Sequence, residues 1–341
     1  MTTRARLLIL LIAVLVLGGA ATAVVLRAAG DSAQRAQTSA GDPPVRPGPV
    51  TLTPAGRQLA FRNLAMGPHQ DEIAAVDADA DHADAERTVG GVKCMRFYAA
   101  AGTGICLQAQ HSALGDIYHA VILDRNLHEL HRFPLAGVPS RARVSPSGHL
   151  AAWTVFVSGE SYSGGGFSTR TSLVDTRTWK LTDTLETFSV VKDGHPHRSP
   201  DTNFWGVTFA DDNRFYATLA TGGQTYLAQG DLGARTLTTL HQNVECPSLS
   251  PDGTRIAYKK RVPGAAADTP WRLYVLDLAT MTETATAETR PFDDQVMWAD
   301  DTTLVYALPG SHGWDVWTAP ADGTGTPRKL AEQAASPSYL G

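Results

Sequence analysis

Two stretches of the chain gather side chains that can do chemistry. TFSVVKDGHPHRSPDTNFW (187–205) brings together Asp193, His195, His197, Arg198, Asp201 and Trp205. SGESYSGGGFSTR (158–170) offers Glu160, Tyr162, Phe167 and Arg170. Imidazoles beside carboxylates are the donor set of a zinc site. However, His195 and His197 stand two apart around Pro196, not one turn apart on a helix, and nothing in the chain fixes a third ligand. A second acidic stretch, DADADHADAE (77–86), begins like a calcium loop. It has His82 where such a loop needs its sixth-position glycine, and Thr88 where it needs its twelfth-position glutamate. GESYSG (159–164) is not the G-x-S-x-G of a nucleophile elbow, and no α/β segment is present to carry one. The expectation is therefore no metal, no cofactor and no catalytic residue. These ten residues read instead as contacts for a ligand. Aromatic rings and arginines are the residue types enriched where binding energy concentrates.

The elements that position them follow from a repeat. SPDGTRIAY (250–258) matches SPSGHLAAW (145–153) and TPAGRQLAF (53–61) position for position. AAAGTGICL (99–107) keeps the glycine in register. ADDNRFYA (210–217) and ADDTTLVYA (299–307) are further copies. An apolar or aromatic residue precedes each turn: Leu52, Tyr98, Val144, Phe209, Leu249 and Trp298. Proline presets φ, Asp or Asn caps the turn through its side chain, and glycine takes the positive-φ position, so each copy is a β-hairpin. A second strand pair follows each, as in WRLYVLDLATMTETAT. Copies are 46, 46, 65, 40 and 49 residues apart. Six units of four strands predict an all-β, six-bladed β-propeller over residues 50–341. SPDGTRIAY followed by WRLYVLDLATMTE resembles the TolB-type (WD-like) propeller repeat. That resemblance implies a six-bladed ring. No helical domain of the kind that accompanies the TolB propeller is present. The tail SPSYLG (336–341) imitates the strand before a turn and offers a closing strand to the first blade.

With strands A to D in each unit, the turns between A and B lie on one face of the ring. The B–C and D–A loops, including 158–170 and 187–204, lie on the other. His69, His111, His241 and His312 are expected on that second face. Cys94 and Cys106 flank one hairpin and are expected to pair. Cys246 lies across the ring from both.

Ahead of the ring, residues 7–26 form an uncharged run of 20, enough for a helix to span a bilayer, which takes roughly 20 apolar residues. Arg4 and Arg6 place the tip 1–6 in the cytoplasm and the body outside. The expectation is a membrane anchor, with cleavage near Ala23 as the alternative. Residues 27–49 hold almost no large apolar side chain and read as a disordered linker. The charge balance, 29 basic against 34 acidic residues, argues against a nucleic-acid surface. The function expected is an exported, monomeric, membrane-tethered module that binds a protein, peptide or glycan. The alternative is a propeller enzyme using a polar funnel at the ring centre. An enzyme would need several charged side chains from different units converging on the axis.

Overall fold

The computed structural model describes residues 12, 14–25, 27, 30, 41–79, 83–112, 115–157 and 168–340. Glu160, Tyr162 and Phe167 lie outside the described residues. The N-terminal segment is helical over residues 14–25. Among the described residues no helix is long and apolar enough to cross a membrane.

Six sheets, each built on four antiparallel strands, make six blades. From the inner strand outward, the second blade is Arg96–Ala100, Thr103–Gln110, Ile117–Leu123 and Glu129–Leu135. The third is Val138–Val144, Leu150–Val157, Ser168–Asp175 and Leu181–Thr182. The fifth is Glu245–Leu249, Arg255–Arg261, Trp271–Asp277 and Glu283–Ala285, and the sixth runs from Met297–Trp298 to Arg328–Ala331. The turn chemistry is the same in separate copies. Gly148 N–H donates to the Ser145 carbonyl and Gly253 N–H to that of Ser250, each at 2.9 Å. Gly148 and Gly253 have φ of 77° and 72°, the left-handed region that favours glycine.

The first blade closes the ring. Residues 48–57, which hold Leu52, form no strand. The inner position belongs to Ala334–Leu340, which pairs antiparallel with Gln58–Asn63. The first blade therefore joins both ends of the propeller, and no inner edge is left open. On its outer side Val45–Pro47 adds a parallel strand to Arg87–Lys93. The ordered ring thus begins inside the stretch expected to be a disordered linker. Asp42 and Gln333 also bond across 2.8 Å.

The fourth blade departs further from expectation. Its inner strand is Asn203–Phe209, and its outer strand, Thr236–Gln242, carries an added hairpin of Ser189–Lys192 and His195–His197. The stretch 187–204 is thus largely a sheet extension at the blade's outer edge, not a loop laid over the ring face. A 3-10 turn at Leu185–Thr187 leads into it.

The core is six apolar clusters among the described residues, one at each seam between neighbouring blades. Because each sheet is covered on both faces, its second strand reads as a continuous apolar run with period two underneath. In Thr103–Gln110, Ile105 and Leu107 pack toward the third blade and Cys106 toward the first.

Candidate functional site at the ring axis

The inner strands bring side chains from distant parts of the sequence to one axis. At the B–C/D–A mouth these are charged. Arg62 and Asp71 of the first blade pair at 2.7 Å. Arg96 of the second reaches Asp294 of the sixth at 3.5 Å. Arg141 of the third reaches Asp293 and Asp294 at 3.6 and 3.9 Å. Lys259 of the fifth blade contacts Asp293 and, at 3.8 Å, Glu245. Glu245 also accepts from Arg261 and Trp271, each at 2.8 Å. Charges do converge from five blades, but each carboxylate is held by a cation. Burial alone would raise the Asp293 pKa; Lys259, Arg141 and Arg96 outweigh it and keep that carboxyl below its ordinary range. Burial lowers Arg96, opposed mainly by Asp294. Cys246, buried and free, accepts from Arg141 Nε at 3.4 Å. A Cβ on Gly206 would lie 2.7 Å from the Cys246 Cα, so only glycine lets the fourth and fifth blades approach this closely.

Midway along the channel two side chains bridge separate blades. Gln295 donates to the carbonyls of Val207 and Pro247 at 3.0 and 2.8 Å. Arg143 crosses from the third blade to donate to the Val296 carbonyl of the sixth at 2.9 Å. Its guanidinium lies over the Tyr98 ring, 4.3 Å from the centroid.

The A–B mouth is different. It opens into a cavity of about 570 Å³ walled by Tyr98, Phe209, Tyr216, Leu249 and Trp298, with Arg143 in the wall and Arg214 and Asp252 also lining it. A volume of that order suits a small organic ligand. Asp252 is occupied by Thr254 and Arg255, and Arg214 by Asp211.

Among the described residues, those singled out in the sequence do not assemble into one site. Asp201 and His197 meet at Thr221, whose hydroxyl donates to Asp201 at 2.8 Å and lies 3.0 Å from His197 Nε2. Asp193, at the tip of the added hairpin, pairs with Lys192, and His195 starts the second strand of that hairpin. Arg198 and His197 border a shallow groove of about 600 Å³ beneath the hairpin. Arg170 sits on the third blade, 3.6 Å from Asp183. Trp205 is not in a loop; it is half-buried on the inner strand of the fourth blade, opposite Thr218. His69 and His111 each engage a carboxylate of their own, Glu72 and Asp116, in B–C loops. His312 is in the B–C turn of the sixth blade, and His241 lies against Glu283. No group of three or more metal-ligating side chains comes together among the described residues. Cys94 and Cys106 form a disulfide, with Cα atoms 5.3 Å apart.

The sequence reading missed Arg143. A signal for it exists in the repeat. The position before the apolar residue of each inner strand holds Phe97, Thr208, Ser248 and Met297, and only the third copy places a charge there.

The fold has known counterparts. TolB from Acinetobacter baumannii superposes with a TM-score of 0.55 at 17% identity, over 84% of this chain and 67% of that one. A chain of the nidogen/laminin complex matches with a TM-score of 0.55 at 12% identity, over 84% of this chain and 98% of that one. This chain is a TolB-like six-bladed propeller in architecture, and at these identities the likeness is one of fold. Oligogalacturonate lyase in complex with manganese matches at a TM-score of 0.45 and 9% identity, over 73% of this chain and 71% of that one. No protein-family model matches the chain, and no curated protein does.

Proposed function

We propose that this propeller is a non-catalytic binding module that takes its ligand in the A–B mouth of the channel. The observation that carries this reading is the aromatic-walled cavity of about 570 Å³ on the ring axis. Rings from the second, fourth and sixth blades bury apolar ligand surface without needing any residue to move protons. The charges at the opposite mouth neutralise one another, and the carboxylate at the cavity, Asp252, is committed to its own turn. In this reading the module works outside the cytoplasm, tethered by residues 7–26.

Two measurements test the proposal. The first follows the chain through membrane fractionation and carbonate washing, with sequencing of the mature N-terminus. A start at Val24 in the soluble fraction would replace the tether with secretion. The second screens small organic compounds against the wild type and against Ala100→Trp, which narrows the cavity. Binding that survives the substitution places the ligand elsewhere.

A further inference from the structure

The cavity has a chemical preference written into its wall. Arg143 is 5% exposed. Its Nη2 donates to the Val296 carbonyl, while its Nε is buried without any hydrogen-bond partner. It has no carboxylate within ion-pair distance among the described residues. The other charges lining the cavity are matched, Arg214 with Asp211 and Asp252 with Arg255. Burying a cation is costly unless it is paired. The Tyr98 ring offsets part of that cost through its face, but a ring face gives the in-plane N–H groups no acceptor. Arg143 thus stands in the wall of an aromatic cavity with a positive charge that no carboxylate among the described residues matches.

We infer that the cavity selects small organic monocarboxylates, the carboxylate against Arg143 and a planar or apolar body between Tyr98, Phe209, Tyr216 and Trp298. A carboxylate supplies one charge to one guanidinium and pairs with it in a bidentate geometry. A dianionic group would bring a second charge into a wall that has no second free cation. This inference rests on the reading of the cavity as the binding site, and the test separates the two.

The probes are matched acid and amide pairs: benzoate and benzamide, 2-naphthoate and 2-naphthamide, indole-3-acetate and indole-3-acetamide. Binding is measured by ligand-detected NMR on the full chain in lipid nanodiscs, with empty nanodiscs as the blank. The expected result is that the acids bind the wild type at least tenfold more tightly than their amides. Arg143→Met brings each pair to within about twofold, and Arg143→Lys recovers part of the preference. Ala100→Trp removes binding of both members. Acids and amides bound equally by the wild type would overturn the charge preference and leave the cavity reading standing. Binding of neither member of any pair would overturn both. Should Arg143→Met fail to fold, the wild-type acid-to-amide ratio together with the Ala100→Trp result still decides.

Discussion

One hydroxyl, that of Ser338, is bonded twice to Ala99: it accepts from the Ala99 N–H at 3.1 Å and donates to the Ala99 carbonyl at 2.9 Å. The two residues are 239 positions apart in sequence, and Ser338 is fully buried. Ser338 lies on the last strand of the chain, which fills the inner place of the first blade. Ala99 lies on the inner strand of the second. The first seam of the ring is therefore fastened by its final strand.

Ser338→Ala is expected to lower stability by about 1–3 kcal/mol, because it strands a buried N–H and a buried C=O. Urea unfolding should show a lower midpoint with an unchanged slope. Deleting Ala334–Leu340 should abolish the single cooperative transition, since the inner edge of Gln58–Asn63 would then lie open.

The opposite seam has its own fastening. Arg87, fully buried, donates to the Glu332 and Gln333 carbonyls at 2.8 and 3.1 Å and to Asn63 Oδ1 at 3.1 Å. Burial lowers its pKa to about 10, against Glu332 and the nearby carboxylates. Arg87→Met should cost about 3 kcal/mol or more, from several acceptors left buried and unpaired. Thermal melts of this variant and of Ser338→Ala compare the two sides of the first blade.

The axial charges should behave as a coupled set. Lys259 and Glu245 are both almost fully buried. Lys259→Met alone is expected to cost about 3–5 kcal/mol, because Glu245 loses a buried counter-charge. Adding Glu245→Gln should cost less than the sum of the single changes, with a coupling of about 0.5–3 kcal/mol in a double-mutant cycle. Additive losses would mean that the two charges do not depend on each other.

A pH dependence follows from the Ser-Pro-Asp-Gly turn. Bonds from Ser250, Thr254 and Arg255 hold the Asp252 carboxyl well below the ordinary carboxylate range. A folded pKa below the unfolded value of about 3.9 contributes stability that is fully present above that value. The contribution fades as the pH falls from there through the folded pKa. The Tm gap between wild type and Asp252→Asn should therefore be constant from pH 7 to about pH 5 and shrink steadily below pH 4. A gap unchanged down to pH 2 would show that the turn does not depend on the charge.

The sequence by itself determined the blade. Ser145, Gly148, Ser250 and Gly253 close their turns through bonds spanning a few residues, so the hairpin and its sixfold recurrence are local properties that turn chemistry reveals. The same locality made the Cys94–Cys106 hairpin legible. Tertiary structure decided everything that depends on how blades meet. The pairing of Ala334–Leu340 with Gln58–Asn63 in place of a strand around Leu52 was legible in SPSYLG only as an offer. The sheet addition of 189–197 to the outer edge of the fourth blade had no signal, because parallel pairing at an edge needs no turn. The axis was least legible of all. Arg143 meets Val296, and Arg96 meets Asp294, only because the ring's curvature carries residues 153 and 198 positions apart to one channel. Residue spacing records the period of a strand or turn; it does not record the angle between two blades.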